Sequence, residues 1–95
     1  MKGALKIKMT QSFIKDWDKL PVDIQSAVNR CIEDFDRDPL PQARRPHSVT
    51  SAGRFPKVFT LDVLPNRSYK LSFEIADGFA MLRRVGTHKQ IDRWE

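Results

Sequence analysis

Two runs of apolar residues with helical spacing, separated by Leu20-Pro21, constrain the fold of this chain most strongly. In both runs the apolar side chains recur every three or four residues, which places them along one face of a helix. The runs are Phe13, Ile14, Trp17 and Leu20, then Ile24, Ala27, Val28, Cys31, Ile32 and Phe35. Because proline disfavours helix in the preceding residue and suits a first helical turn, a helical hairpin is predicted. Thr10 or Ser12 would cap its first helix, and Asp38-Pro39 would end its second.

Four segments outside this hairpin have the patterns of β-strands. Some alternate apolar and polar residues, and others are rich in Val, Phe and Thr. The predicted strands are Leu5 to Thr10, Phe55 to Val63, Ser68 to Ile75 and Phe79 to Val85. Asp77-Gly78 fits a two-residue hairpin turn, in which glycine tolerates a positive φ, and residues 64–67 form the preceding turn. Residues 40–53 show no periodicity and are predicted to be a loop, and the chain is expected to end in a short tail.

The resulting order, β-α-α-β-β-β, predicts an α+β fold. A helical hairpin packed on one face of a mostly antiparallel four-stranded sheet would bury the apolar faces of both. The length suits one core, so residues 1–95 are predicted to form a single domain. The only cysteine, Cys31, lies on the helical apolar stripe and is predicted to be a core residue. With no disulfide framework, signal peptide or membrane span in the pattern, we expect a cytoplasmic protein.

Charge is distributed unevenly along the chain. The formal net charge is +5, yet residues 11–38 contain four basic and seven acidic residues, so the remainder carries +8. If the helices cover one face of the sheet, the positive field concentrates on the opposite face. Such a field suits a polyanionic partner such as a nucleic acid.

Several basic residues are predicted to lie together on that opposite face. Alternation along its strand directs Lys70 away from the helices. Arg83 and Arg84 are neighbours on the last strand, so they are predicted to point to opposite faces, with one of them joining Lys70. His88 follows shortly after. Cations hold a scissile phosphate and stabilise its developing charge, and an imidazole transfers protons near neutral pH. The residues alone therefore predict a basic domain that binds nucleic acid.

Three further residues bear on this interpretation. His47 lies in a proline-flanked segment and is predicted to be a surface residue. It falls on a different element from Cys31 and His88, so these residues do not form the spacing of a metal site. Three alternative roles are open for the side chain of Trp94: it covers the sheet edge, stacks on a base or contacts a partner protein.

Motifs spread along the chain resemble those of a known family. They are Phe13-Ile14-Lys15 through Leu20-Pro21, Ile24-Gln25, Phe35 with Asp38-Pro39, Ser68-Tyr69-Lys70-Leu71-Ser72-Phe73 and Leu82-Arg83-Arg84-Val85-Gly86-Thr87-His88. The terminal Arg-Val-Gly-Thr-His is the most specific of them. On these motifs the chain resembles, over nearly its whole length, the RelE/ParE superfamily of toxins from bacterial type II toxin–antitoxin systems.

This resemblance implies an activity and a catalytic set. RelE-like members are ribosome-dependent mRNA endoribonucleases, in which the ribose 2′-oxygen attacks the adjacent phosphate without a metal or cofactor. By similarity, Lys70 takes the place of a strand arginine that contacts the scissile phosphate. Arg84 matches the basic residue before Val-Gly-Thr-His, and His88 matches a histidine that some relatives use as general acid or base. The predicted RNA-binding residues are Arg54, Lys57 and Arg83.

The resemblance also implies partners and leaves alternatives open. The expected partners are mRNA on the ribosome and an acidic cognate antitoxin that is partly disordered when free and covers the basic face. ParE-like relatives share the fold but act without enzymatic activity, by binding DNA gyrase, and there the basic face would be an interaction surface. A third alternative is a degenerate member that binds RNA or an antitoxin without turnover.

Overall fold

A computed structural model describes residues 6–37, 47–49, 58–76 and 78–95, with the backbone alone at 35–37, 47, 49 and 76. The elements are β1 (Lys6–Met9), α1 (Gln11–Asp18), α2 (Val22–Arg37), β2 (His47–Val49), β3 (Val58–Asp62), β4 (Tyr69–Ala76), β5 (Phe79–Thr87) and α3 (His88–Trp94). The sheet order is β1-β5-β4-β3-β2, and only the pairing of β1 with β5 is parallel. The predicted fold, a helical hairpin on one face of a mostly antiparallel sheet, is confirmed with all four predicted strands present.

Two elements go beyond the prediction. β2 lies within residues 40–53, which were predicted to be a loop, and pairs with β3 as a fifth strand. Three residues are too few to show an alternating pattern. The predicted C-terminal tail is instead α3, whose N-cap Thr87 accepts from the backbone N–H of Gln90 while Gln90 Oε1 accepts from that of Thr87. None of the described helices is long and apolar enough to span a membrane.

Thr10 joins the start of α1 to the sheet. Its Oγ1 accepts from the backbone N–H of Phe13 at 3.0 Å, which confirms it as the predicted cap. The same hydroxyl donates to the carbonyl of Arg83 on β5 at 2.7 Å. The two helices are joined by Gln25 Nε2, which donates to the carbonyl of Trp17 at 2.9 Å. α1 is therefore fixed against β5 at one end and against α2 at the other.

The two predicted turns in the second half of the chain are supported by backbone geometry. Gly78 has φ 80°, as expected for the hairpin between β4 and β5, while Asp77 lies outside the described residues. In the turn between β3 and β4, Arg67 adopts φ 65°. Asn66 Oδ1 stabilises this turn by accepting from the backbone N–H of Ser68 at 2.9 Å and from its Oγ at 2.6 Å.

The core lies between the helical hairpin and one face of the sheet. Its buried residues are Phe13, Ile24, Val28, Cys31, Leu61, Val63, Leu71, Phe73, Ala80, Leu82 and Val85. Cys31 is fully buried among them, so its predicted core position is confirmed. Trp17 and Tyr69 pack against this cluster while remaining partly accessible. Each fully buried large apolar side chain contributes about 1.5–3 kcal/mol through removal from water.

Candidate active site

We call the sheet face opposite α1 and α2 the outer face, and Lys70, Ser72 and Glu74 mark it on β4. Leu71 and Phe73 lie in the core with the helices. Because successive side chains of a strand point to opposite faces, the three marking residues point away from the helical hairpin, as predicted.

Strand register brings the backbones of the three predicted catalytic residues near one another. Lys70 pairs with Gly86 across the β4–β5 ladder. Arg84 and His88 lie two residues before and two residues after Gly86. The backbone N–H of His88 donates to the carbonyl of Ser68 at 3.0 Å, which fixes the start of α3 beside the start of β4. The β4–β5 pair therefore carries Lys70 and Arg84, and His88 begins α3 directly after it.

A β-bulge on β5 changes the expected orientation of the two arginines. Ser72 pairs with Arg84 but Phe73 pairs with Leu82, so Arg83 is the extra residue. Both arginines contact residues at the end of α3: Arg83 binds Glu95 and Arg84 stacks on Trp94. The prediction that Arg83 and Arg84 point to opposite faces is therefore wrong. A bulge adds a residue to one strand and breaks strict alternation.

Lys70 is held by a carboxylate on the neighbouring strand. Its Nζ lies 3.5 Å from Oδ1 of Asp62, its register partner on β3. The side chains are 15% and 5% exposed, so the pair is largely removed from water. A buried carboxylate is tolerated when it is paired with a cation, and this pairing fixes the position of the ammonium group.

Arg84 is bound to the first helix of the hairpin. Its Nε and Nη2 donate to the two carboxylate oxygens of Asp16 at 2.8 and 3.1 Å, and the backbone N–H of Val85 donates to Oδ2 at 3.2 Å. The guanidinium carbon lies 3.7 Å from the ring centroid of Trp94. The hydrogen bond to Asp16 raises the pKa of Arg84 further, so this residue stays cationic and does not transfer protons.

Arg83 lies between two glutamates. It donates through Nε to Glu95 Oε2 at 2.9 Å, through Nη2 to Glu95 Oε1 at 3.2 Å, and through Nη1 to Glu74. The hydrogen bond to Glu95 is the main cause of its raised pKa, and Glu74 adds to it. Arg83 is therefore also a permanent cation with its charge compensated in the free protein.

His88 is the most accessible of the described candidates. Its side chain is 47% exposed, and its Nε2 lies 3.0 Å from Oδ2 of Asp92, one turn further along α3. A carboxylate at this position orients the ring and fixes which nitrogen carries the proton. Within the described ranges, no group of three His, Cys, Asp or Glu side chains is arranged to hold a metal ion.

The structure does not describe every predicted site residue. Arg54 and Lys57, predicted to bind RNA, lie outside the described residues, and so does the side chain of His47. The four described candidates share one region, but each binds a different carboxylate rather than converging on one point. The carboxylates Asp16, Asp62, Asp92 and Glu95 are the part of the site that the motifs did not indicate.

The outer face is also less accessible than expected for a sheet face that receives a polyanion. Ser72 is fully buried and Ile91 of α3 is 1% exposed. A Cβ placed on Gly86 would lie 2.5 Å from Oε1 of Gln90 and 3.2 Å from Cζ3 of Trp94. The absence of a side chain at Gly86 therefore lets α3 pack directly on the sheet, and α3 covers part of the face predicted to receive a polyanion.

The ion pair between Asp16 and Arg84 is expected to stabilise the fold. We expect Asp16→Asn to lower the free energy of unfolding by about 2 kcal/mol, because it weakens charge-assisted hydrogen bonds in a largely buried site. Asp18→Asn is the matched control, since it removes the same charge from an exposed position of α1. Its effect should stay within about 0.5 kcal/mol. Urea denaturation measures both, and equal losses would show that the ion pair contributes nothing specific.

Solved structures share this fold. A chain of the archaeal RelE–RelB complex from Pyrococcus horikoshii superposes with a TM-score of 0.71 at 10% identity, covering 88% of this chain and 94% of that one. YafQ from E. coli gives 0.71 at 18% identity, covering 92% and 97%. A copper-bound mutant toxin from Helicobacter pylori gives 0.70 at 24% identity, covering 92% and 98%. No protein-family model matches the chain, and no curated protein matches it significantly. The predicted resemblance is thus confirmed for the fold.

Proposed function

We propose, from the fold that this chain shares with toxins of the RelE/ParE superfamily, that it is the toxin of a type II toxin–antitoxin pair and cleaves mRNA on the ribosome. The observation that carries the proposal is the register of β4 and β5. In this register Lys70 pairs with Gly86, and Gly86 lies between Arg84 and His88 in the sequence. Two cations and an imidazole within one patch are the groups that RNA cleavage without a metal requires.

The reaction assigns a separate role to each of these side chains. The ribose 2′-oxygen attacks the adjacent phosphorus, the bond to the 5′-oxygen breaks, and a 2′,3′-cyclic phosphate forms. Lys70 and Arg84 stabilise the negative charge that builds up on the phosphate oxygens. His88 transfers one of the two protons, either from the attacking 2′-hydroxyl or to the leaving 5′-oxygen, and solvent water carries the other. The exposure of His88 lets a substrate reach it.

An antitoxin partner is supported by the archaeal RelE–RelB complex among the structural neighbours. For this chain we propose an acidic antitoxin. The outer face carries Lys70, Arg83 and Arg84, and an acidic segment that orders on binding would compete for these cations with the carboxylates that now hold them. Covering this face would block access to His88.

One observation favours a second candidate, a ParE-like toxin that binds DNA gyrase without catalysis. Lys70, Arg83 and Arg84 are each paired with a carboxylate. Compensated cations of this kind are also typical of an interaction surface, where they give specificity.

Primer extension on a reporter mRNA separates the two candidates. The protein is added to a purified translation system, and naked mRNA with the same protein serves as the control for ribosome dependence. We expect cuts within translated codons that require the ribosome. An intact message, together with inhibition of DNA supercoiling by purified gyrase, would overturn the nuclease proposal in favour of the gyrase-binding one.

A further inference from the structure

A buried carboxylate of the chain itself occupies the outer face between β4 and β5. Glu95 follows α3, and its side chain is only 2% exposed. Ser72 Oγ donates to Glu95 Oε2 at 2.7 Å, and Arg83 donates to both oxygens through Nε and Nη2. A buried carboxylate is unfavourable unless it is paired and hydrogen-bonded, and these donors supply that pairing, while Nη1 of Arg83 remains bound to Glu74 on β4.

The same donors suit a phosphodiester group. The planar fork of arginine binds two oxygens of a carboxylate or of a phosphate in the same bidentate geometry. A serine hydroxyl donates equally well to a phosphate oxygen, and arginine and serine are regular contacts of nucleic-acid backbones. Glu95 therefore holds the position that a phosphate would take.

The position of this site relative to Lys70 indicates which phosphate it would hold. Ser72 is two residues along β4 from Lys70 on the same face, so their Cα atoms are about 6.6 Å apart. Consecutive phosphates of an extended RNA strand have a similar separation. If Lys70 contacts the scissile phosphate, the donors of Ser72 and Arg83 lie where the neighbouring phosphate would pass.

We infer that Ser72 and Arg83 form a binding site for the phosphodiester group next to the scissile one, and that the carboxylate of Glu95 occupies this site until RNA displaces it. The inference rests on the proposed function, because it places the scissile phosphate at Lys70. Displacement of Glu95 would move the end of α3, where Trp94 stacks on Arg84 and Glu95 binds Arg83. The affinity for RNA is then lowered by the internal competitor.

Removing the internal carboxylate tests this inference. The probe is a short single-stranded RNA with methylated 2′-hydroxyls, which cannot be cleaved, and its binding is followed by fluorescence anisotropy at low salt. We expect Glu95→Ala to raise the affinity roughly tenfold or more, because charge-assisted hydrogen bonds no longer compete. Glu33→Ala is the matched control, since Glu33 is exposed on α2 and carries the same charge. We expect it to change the affinity by no more than about twofold.

A second substitution shows whether the RNA uses the vacated donors. In the Glu95→Ala background, Ser72→Ala should lower RNA affinity severalfold, because the hydroxyl then contacts phosphate. In the wild-type background, Ser72→Ala should lower it less, because there the hydroxyl gives up its bond to Glu95 in order to bind the phosphate. Such non-additivity is the signature of one shared site. A simple loss of stability in α3 would not produce it.

The outcomes distinguish this inference from the proposed function. Equal affinities for the Glu95→Ala and Glu33→Ala proteins would overturn the inference, even if the wild-type protein cleaves mRNA in the translation system. If Glu95→Ala raises the RNA affinity and adding Ser72→Ala does not lower it again, the inference is also overturned, since the RNA would then bind elsewhere. If the gain in RNA affinity depends on Ser72 but the wild-type protein leaves mRNA intact, the phosphate-binding site is supported and the proposed nuclease function is refuted.

Discussion

Replacing His88 by alanine is expected to lower ribosome-dependent mRNA cleavage by a factor of about 10²–10⁴, which is the typical contribution of general acid–base catalysis. The fold should be almost unaffected. His88 is 47% exposed, and its contact with Asp92, whose side chain is 64% exposed, lies on the surface of α3. The free energy of unfolding should therefore stay within about 0.5 kcal/mol of the wild-type value. Primer extension measures the cleavage rate, and urea denaturation measures the stability.

Lys89→Ala is the matched control for this substitution. Lys89 is the next residue of α3, is exposed and carries no proposed catalytic role. Loss of its charge should weaken RNA association modestly, with a stronger effect at low salt, and leave the pattern of cuts unchanged. If His88→Ala cleaves as fast as Lys89→Ala does, the proton transfer belongs to another group and His88 is a surface residue.

Local sequence signals were sufficient to predict most of the fold. The helical hairpin follows from apolar spacing on either side of Leu20-Pro21, and the β4–β5 turn follows from a glycine that adopts φ 80°. The capping box Thr87-His88-Lys89-Gln90 was also present in the sequence and could have indicated α3. Apolar spacing does not indicate this helix, because its seven residues are too few to display an apolar period.

The arrangement of the site could not be predicted in the same way. Asp16 and Arg84 are 68 residues apart in sequence, and no local spacing relates them. The bulge directs Arg83 and Arg84 toward the same helix, α3. It depends on the register of β4 against β5, and the alternation of residues within β5 does not reveal that register. Long-range partners of this kind depend on tertiary packing rather than on a sequence pattern.

The net charge of the chain predicts the sign of the field around the sheet but not how the charges are paired at the site. The sheet-bearing part of the chain does carry the excess positive charge. Around the site, however, Asp16 of α1 pairs with Arg84, and Glu95, which follows α3, pairs with Arg83. The charges of both arginines are therefore compensated in the free protein. Net charge describes the long-range field, whereas the availability of a given cation depends on its immediate partner. An RNA-binding function therefore requires exchange of partners at this face.

Lys70→Ala is expected to have two large and separable effects. Cleavage should fall by about 10²–10³, because the substitution removes a cation that stabilises charge on the scissile phosphate. The free energy of unfolding should also fall by about 3 kcal/mol, because Asp62, with a side chain only 5% exposed, loses its ammonium partner. The double variant Lys70→Ala with Asp62→Ala removes this buried carboxylate as well, so it should recover stability without recovering cleavage.

Lys70→Arg completes the test by keeping the charge. Arginine supplies a planar fork that matches phosphate oxygens and also pairs with a carboxylate, so we expect cleavage within about tenfold of the wild-type rate. Primer extension at a temperature where denaturation shows each variant to be folded separates the loss of catalysis from the loss of structure. A folded Lys70→Ala protein that cleaves at the wild-type rate would remove Lys70 from the catalytic set. Its role would then be confined to neutralising Asp62 within the sheet.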